Sequence, residues 1–337
     1  MPKPRATLQR VLSSARFLLN VAGGGAAIAT ILGFAGSRWW VFELLEHLRP
    51  QYCLILVLAL VVGGISRRAW SFVWCFPLVL NLALIVPLFF TSAQGSHLEQ
   101  ANRAPNSTFR LLYANLDHDN KDTSRAVQYI EAQDVNLVLL QEVTSRWLTK
   151  LKSDLSRYRV VTSFPRENST GLAMLVPIAA SKSVEIVGTQ ILELPLNSGQ
   201  PLLETTIRWG DTDVVILGLS IIRPQNRDTS AFQDVEFKAA ADWSLRQQKK
   251  DGREVVVIGD FNSTPWSGRF RKFLHDSELH NSLQGFGLQP TWPASLLSPL
   301  MIAIDHCLHS QSITTINRAT GSNIGSDHLP LFVELGL

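Results

Sequence analysis

The sequence predicts an α/β domain preceded by an α-helical membrane anchor, on three observations. Apolar residues are concentrated in the first 92 of the 337 positions, and short hydrophobic runs typical of buried strands follow after residue 107. Acidic and amide side chains stand directly after several of those runs. Only three cysteines are present, two of them (Cys53 and Cys75) in the apolar part, which excludes a disulfide framework and a cysteine-built zinc site.

Charge is divided as unevenly as hydropathy. The first 92 residues contain eight Lys and Arg against two Asp and Glu, a net charge of +6, whereas the remaining 245 residues carry −3. Charged residues make up 18% of the chain, below the quarter or so that is usual for a soluble domain. The basic pI near 8.8 therefore comes from the N-terminal part and does not indicate a nucleic-acid-binding face.

Residues 1–91 are predicted to form a membrane anchor with about three transmembrane helices. Uncharged runs cover residues 17–36, 52–66 and 69–92. The second is short, at about 15 residues where roughly 17–25 are typical of a span. It either extends to residues 48–50 with Arg49 snorkelling to the interface, or forms a re-entrant segment.

Basic residues predict the orientation of the anchor. Four precede the first run, and Arg67 and Arg68 lie between the second and third. The positive-inside rule places the N-terminus and the 66–69 loop in the cytoplasm. Three spans would then put the rest of the chain outside the cytoplasm, giving a multi-pass inner (plasma) membrane protein with a periplasmic, extracytoplasmic domain. A re-entrant second run would instead leave that domain in the cytoplasm.

Residues 92–107 are polar and are predicted to form a linker. Residues 108–337 are predicted to form a single domain. Hydrophobic patterning predicts helices over residues 123–132 and 231–249 and a third after Ser267, with sheets inside and helices outside. The predicted strands cover residues 109–116, 135–140, 159–162, 171–176, 202–208, 213–220, 254–258, 302–309 and 329–335.

The side chains suited to chemistry lie where predicted strands stop, except for one segment, IDH, which lies within a predicted strand. They occur in five short segments, YANLD (113–117), LLQEV (139–143), IGDFN (258–262), IDH (304–306) and GSDH (325–328). A carboxylate at the mouth of a buried sheet is costly unless it binds a cation or accepts hydrogen bonds. Carboxylates and amides with few histidines form a hard, oxygen-rich set, which suits Mg²⁺ or Mn²⁺ better than zinc.

Other histidines are expected to have no part in this chemistry. His118, His275 and His280 lie in polar or helical contexts and are predicted to be surface residues. His306 adjoins Asp305, but strand alternation would turn it to the opposite face, so it is predicted to pack in the interior.

In this order and spacing the segments resemble the endonuclease/exonuclease/phosphatase superfamily, which has the fold of pancreatic deoxyribonuclease. The resemblance covers roughly residues 109–337. The chain looks most like a bacterial subgroup whose members carry N-terminal membrane spans. It implies a four-layer α/β/β/α sandwich and a metal-dependent phosphoric ester hydrolase using Mg²⁺ or Mn²⁺. A phosphoester would be the substrate, with a lipid head group or a nucleotide as open alternatives.

The resemblance also implies roles for individual residues. Metal ligands would be Glu142, Asn115, Asp117 and Asp327. Asp260 would orient and deprotonate the attacking water, and Asn262 would hold that water or donate to a phosphate oxygen. His328, held by Asp305, would stabilise charge in the transition state, and Asn115 would also belong to the catalytic group.

One position departs from the family pattern. Many members have a histidine at the end of the strand predicted over residues 213–220, where this chain has Ser220. Arg223 is close enough in sequence to supply a phosphate contact instead. Three hypotheses remain open: an extracytoplasmic phosphodiesterase or phosphomonoesterase, a catalytically impaired relative that binds a phosphorylated ligand or partner, and an extracytoplasmic nuclease. The −3 charge of the domain argues against the last.

Overall fold

The computed structural model describes residues 4–65, 69–90, 108–179, 184–249 and 251–337. The chain divides into two compact units, Met1–Pro87 with Trp266–Gly268, and Leu88–Pro265 with Arg269–Leu337. The predicted linker at 92–107 and the pair Arg67 and Arg68 lie outside the described residues, so the linker and the orientation of the anchor stay predictions.

The N-terminal unit is helical. Its α-helices are α1 (Pro4–Gly33), α2 (Trp40–Glu46), α3 (Arg49–Ile65) and α4 (Cys75–Ile85). Among the described residues, two stretches are long and apolar enough to cross a membrane, Ser13–Gly33 and Phe72–Phe89, and they correspond to the first and third predicted runs. The bent pair α2 and α3, with an angle of 64° between them, meets the same criteria only when both helices are taken together. These apolar helices are suited to a membrane anchor, and the second span remains either a broken helix or a re-entrant segment.

A polar network lies inside this unit. Arg49 is buried in the helix packing, with its guanidinium 4.3 Å from the Phe34 ring centroid, which disfavours the alternative in which it snorkels. Its Nη1 donates to Oδ1 of Asn81 at 3.0 Å, and Nδ2 of Asn81 donates to Oγ1 of Thr30 at 2.8 Å. A buried guanidinium needs hydrogen-bond acceptors, and Asn81 supplies one. Because Arg49 lies on α3, Asn81 on α4 and Thr30 on α1, the network links the three helices.

The second unit contains two six-stranded sheets. The first has the strand order β11-β12-β1-β2-β4-β3 and the second β5-β6-β7-β8-β10-β9. The strands are β1 (Thr108–Asn115), β2 (Leu137–Gln141), β3 (Tyr158–Phe164), β4 (Leu172–Pro177), β5 (Glu185–Glu193), β6 (Pro201–Trp209), β7 (Thr212–Ser220), β8 (Glu254–Asp260), β9 (His280–Asn281), β10 (Asp305–His309), β11 (Thr314–Thr320) and β12 (Leu331–Gly336). The α-helices are α5 (Thr123–Ala132), α6 (Ser145–Asp154), α7 (Arg227–Lys249) and α8 (Gly268–Ser277).

Three hydrophobic cores separate four layers. Alternate residues of the central strands, such as Leu139 of β2 and Ile216 of β7, meet in a core between the sheets. The residues between them face outward and pack on helices. Leu140 lies in a core formed with α5 and α6, and Leu217 lies in a core formed with α7 and α8. Because both faces of these strands are covered, they read as continuous apolar runs. The predicted α/β/β/α sandwich is confirmed.

The pairing of the central strands aligns the polar strand ends. Within each sheet the central pair is parallel, with Asn115 opposite Gln141 in one and Ser220 opposite Asp260 in the other. The antiparallel strand β10 adds Asp305 opposite Asp260. All five residues have the parity of the inter-sheet face, so the two sheets bring their polar ends to a common edge.

The predicted strands and helices are present, with bounds shifted by a few residues. Helix α5 coincides with its prediction and buries Ala126, Val127 and Ile130. Strands β5, β9 and β11 and helix α6 were not predicted. All three of these strands lie at or next to a sheet edge, with few buried apolar residues to reveal them.

Candidate active site

The first cluster surrounds Glu142 at the end of the β1–β2 pair. Its Oε1 accepts from Nδ2 of Asn115 at 2.9 Å, and its Oε2 lies 2.6 Å from Nδ1 of His118. Donor atoms of Asp117, His118 and Glu142 all lie within 4.8 Å of one another, close enough to share one cation. Two carboxylates and an imidazole form a donor set that fits a divalent metal ion, and Asn115 lies beside them.

An unusual backbone positions this cluster. Asp117 and Glu142 both have positive φ, 58° and 60°, which non-glycine residues seldom adopt and which occurs often at functional sites. The backbone N–H of Asp117 donates to Oδ1 of Asn115 at 2.9 Å, and Nε1 of Trp147 donates to the Asp117 carbonyl at 3.2 Å. Helix α6, which the sequence analysis missed, therefore helps to support the loop that carries Asp117.

Electrostatics in the first cluster favour a cation. Partial burial raises the pKa of Asp117, as do the charges of Asp327 and Glu142, although a hydrogen bond from the Asp119 backbone opposes the shift. The hydrogen bond to Glu142 raises the pKa of His118. A bound cation would relieve the mutual repulsion of these carboxylates.

The second cluster contains Asp260, Asp305 and His328, all buried, with donor atoms within 4.8 Å of one another. Nδ1 of His328 lies 2.9 Å from Oδ2 of Asp305. Burial opposes charge on the imidazole, but the charge and hydrogen bond of Asp305 raise the pKa of His328 to about 10. Burial and then the charge of Asp305 raise the pKa of Asp260 to about 7. At neutral pH His328, paired with Asp305, is therefore a cation beside the carboxyl group of Asp260, which can accept a proton.

The GDFN turn holds Asp260 in place. The backbone N–H of Asn262 donates to Oδ1 of Asp260 at 2.7 Å, and its Nδ2 donates to Oδ2 at 3.0 Å and to the Ile221 carbonyl at 2.8 Å. Gly259 is required because a Cβ there would lie 1.8 Å from the Leu219 carbonyl oxygen, and its φ of 153° is unfavourable for other residues.

Asp327 is within electrostatic reach of both clusters. Its charge contributes to the raised pKa of Asp117 and of His328, and its Oδ1 lies 4.0 Å from Nε2 of His328. Its Oδ2 accepts from Nε1 of Trp292 at 3.0 Å. The side chain is 48% exposed, so it could turn toward either cluster.

Tyr113 is a buried residue of the site that the sequence analysis treated only as part of a strand. Its hydroxyl hydrogen-bonds Oε1 of Gln141. Burial, followed by the charges of Asp305, Asp260 and Glu142, raises its pKa well above the ordinary value. Tyr113 therefore lies within electrostatic reach of both clusters, and its only signal in the sequence was its position two residues before Asn115.

The position that departs from the family pattern has a cation nearby. Ser220 pairs with Asp260 in the strand register, but a hydroxyl group cannot provide positive charge. The exposed Arg223 lies with its guanidinium 5.3 Å from the Trp292 ring centroid, and its charge lowers the pKa of Asp260, opposing the larger effect of burial. The segment that carries Arg223 is held by helix α7, since Oε2 of Glu236 accepts from the Ile222 N–H at 2.8 Å.

The other histidines largely follow the sequence analysis. His306 is buried against Phe261 and Phe270, and burial lowers its pKa to about 3, so it is a neutral packing residue. His275 and His280 are exposed, as predicted. His118 contradicts its prediction as an ordinary surface residue, because it contacts Glu142.

Comparisons with known proteins agree with this architecture. A sequence model of the Endonuclease/Exonuclease/phosphatase family matches residues 112–328. No curated protein sequence matches the chain significantly. An endonuclease/exonuclease/phosphatase from Bacteroides vulgatus is 14% identical, with a TM-score of 0.54, over 69% of this chain and 100% of that one.

Two further solved structures are similar. A mannosyl-6-phosphatase from Bacteroides thetaiotaomicron is 15% identical, with a TM-score of 0.53, over 68% of this chain and 100% of its own. D. rerio TDP2 complexed with a single-strand DNA product is 14% identical, with a TM-score of 0.52, over 69% and 100%. At such identities the structures demonstrate a shared fold. The family match extends from β1 to His328 and includes both clusters, so the chain belongs to the endonuclease/exonuclease/phosphatase family.

Proposed function

We propose that this protein is a membrane-anchored, divalent-metal-dependent hydrolase of phosphoesters whose active site lies outside the cytoplasm. The observation that carries the proposal is the second cluster, in which Asp305 keeps His328 cationic beside Asp260. A fixed cation next to a carboxyl group with a pKa of about 7 suits the hydrolysis of an anionic ester near neutral pH.

In this mechanism Asp260 accepts the proton of the attacking water. Its raised pKa makes it an effective base near neutral pH, and two hydrogen bonds from Asn262 fix its orientation. His328 donates a hydrogen bond to a phosphoryl oxygen and stabilises the negative charge that grows there in the transition state. Asp305 keeps the imidazole oriented and protonated.

Glu142, Asn115 and Asp117, with Asp327 nearby, would hold Mg²⁺ or Mn²⁺. When bound, such an ion polarises a phosphoryl oxygen and stabilises the departing oxygen. The chain supplies few carboxylates to it, which leaves room for phosphate oxygens of the substrate.

Arg223 is proposed to compensate for Ser220. Its guanidinium lies beside Trp292 on a segment held by Glu236 and carries a permanent charge near Asp260. A planar guanidinium can bind two phosphate oxygens at once, which a serine cannot do. This argument favours an active hydrolase over a relic that only binds a phosphorylated ligand.

The membrane assignment is supported by the apolar N-terminal helices and the basic residues around them. A domain tethered to a bilayer is within reach of lipid head groups, and a phosphorylated head group or a nucleotide is the proposed substrate class. A nuclease, suggested by the DNA product bound to D. rerio TDP2, is the second candidate. The −3 charge after residue 92 disfavours it, because nucleic-acid binding depends on Lys and Arg.

The test is hydrolysis by the full-length protein in detergent, with Mg²⁺ or Mn²⁺, of phosphodiesters, phosphomonoesters, phospholipids and single-stranded DNA. Asp260→Asn should reduce turnover on the order of a hundredfold or more, since positioned proton transfer contributes about 10²–10⁴-fold. Asp242→Asn, a change at an exposed acid paired with Lys238, is the matched control and should leave turnover unchanged. Wild type no faster than Asp260→Asn on every substrate would refute the proposal.

A further inference from the structure

The donor set around Glu142 contains a nitrogen that the oxygen-rich pattern of the sequence did not suggest. Nδ1 of His118 lies 2.6 Å from Oε2 of Glu142. One donor atom from each of Asp117, His118 and Glu142 lies within 4.8 Å of the other two. Neighbouring ligands of an octahedral ion about 2.1 Å from each donor are about 3 Å apart. The imidazole therefore lies where a ligand adjacent to Glu142 would lie.

The backbone of His118 is tied to the same carboxylate. Its N–H donates to Oε2 of Glu142 at 3.1 Å, and its carbonyl accepts from Nη2 of Arg146 at 3.3 Å. Nη2 of Arg146 also donates to the Asn120 carbonyl at 2.7 Å. With hydrogen bonds on both sides of its Cα, His118 can move its ring by side-chain rotation but cannot easily leave the cluster.

The second ring nitrogen of His118 also faces a carboxylate. Nε2 lies 3.6 Å from Oδ2 of Asp119, an acid with an 89% exposed side chain. Metal-bound histidines usually donate the other ring N–H to a carboxylate, which fixes the tautomer and makes the ligating nitrogen more basic. At 3.6 Å the Asp119 carboxylate is beyond hydrogen-bond distance of Nε2, but it lies on the side of the ring from which it could accept that N–H if Nδ1 bound a metal ion.

We propose that His118 binds the divalent ion through Nδ1 and shifts the preference of the site from Mg²⁺ toward first-row transition ions such as Mn²⁺. Magnesium takes oxygen ligands almost exclusively, whereas imidazole is a good ligand for transition ions. The inference rests on the proposed metal site at Glu142 and specifies which ion that site prefers. In the alternative, His118 is only a hydrogen-bond donor that rotates away when a metal binds.

The test is metal binding by the full-length protein in detergent, with Mg²⁺ and Mn²⁺ alone as probes. Calorimetry gives both dissociation constants, and electron spin-echo envelope modulation of bound Mn²⁺ detects a directly coordinated nitrogen. The wild type should bind Mn²⁺ more tightly than Mg²⁺ and should show the nitrogen signal.

Three variants interpret that result. His118→Ala should weaken Mn²⁺ binding by about tenfold or more, change Mg²⁺ binding by less than about threefold, and abolish the nitrogen signal. His118→Gln, with an oxygen donor in its place, should lose the signal while retaining Mg²⁺, and it keeps the test valid if the alanine variant does not fold. The exposed His275→Ala is the matched control and should behave like wild type.

The proposal is overturned if the nitrogen signal is absent from wild type or persists in His118→Gln, or if both metals weaken equally in the variants. Its failure is distinguishable from that of the proposed function. Hydrolysis by a protein without the nitrogen signal would remove only the role of His118. A nitrogen-coordinated metal in a protein that hydrolyses nothing would remove only the catalytic assignment.

Discussion

Replacing Asp305 with asparagine should remove the charge on His328 while leaving the imidazole in place. The hydrogen-bonded Asp305 is the main cause of the raised pKa of about 10, and burial acts in the opposite direction. Without that carboxylate the pKa of His328 should fall well below 10, because burial, the largest single influence on the imidazole, lowers it.

The consequence for the rate follows from the protonated fraction. At pH 8 about 99% of the rings are cationic in wild type, whereas an imidazole at or below its ordinary pKa of 6.5 would be cationic in at most about 3% of molecules. We therefore expect kcat/KM of Asp305→Asn to fall by about thirtyfold. Wild-type kcat/KM should rise with pH through about 7 as Asp260 deprotonates and fall near 10 as His328 does. The ratio of variant to wild type should rise as the pH falls from 8 to 6, because the ring regains its proton.

The assay is a pH profile of kcat/KM from pH 5 to 10 on the best substrate found. Asp276→Asn is the matched control, since Asp276 also lies beside a histidine, His275 at 3.2 Å, but on the exposed surface. Because breaking a buried pair costs about 3–5 kcal/mol, circular dichroism is used to check that Asp305→Asn is folded before the rates are compared. A variant within threefold of wild type at pH 8, or a ratio that does not change with pH, would refute the reasoning.

Three more outcomes are expected. Burial raises the pKa of Glu236 from 4.5 to about 7, so its contribution to stability is full below pH 4.5 and is lost as the pH rises through 7. In thermal unfolding, the stability of Glu236→Gln relative to wild type should therefore increase by about 3 kcal/mol between pH 4.5 and pH 8. Parallel pH profiles of the two proteins would contradict this. Arg223→Ala should lower kcat/KM by about tenfold or more, whereas the exposed Arg227→Ala should not, and equal effects would exclude a specific role for Arg223. A reporter active only outside the cytoplasm should work when fused after residue 96; if only a cytoplasmic reporter works there, the three-span topology is wrong.

The central strands could be predicted from sequence because both of their faces are buried. Residues 254–258, EVVVI, are apolar at almost every position, which only a strand covered on two sides requires. Strand β5 has mostly exposed residues, and the pairing of β11 with β12 has a register irregularity between Thr315 and Asn317. Strands near an edge need little apolar area, so hydrophobic patterning cannot reveal them.

Glu142 and Asp260 were predictable because they stand at the ends of buried strands, where a carboxylate is costly unless it binds a cation or accepts hydrogen bonds. His118 and Tyr113 were not. His118 contacts Glu142 and directly follows Asp117, whose φ is positive, and no pattern in the sequence predicts that backbone conformation. Tyr113 fits equally well as an ordinary core aromatic, and its relation to both clusters depends on how the two sheets pack.

That packing has a thermodynamic consequence for ligand affinity. Glu142 follows a strand of the first sheet and Asp260 ends a strand of the second, so the span between them is determined by core residues such as Leu139 and Ile216. A ligand that touches both clusters recognises only the docked arrangement of the sheets, and its binding energy is linked to their association. Substitutions in the middle of that core should therefore alter affinity for a phosphorylated ligand that they never touch.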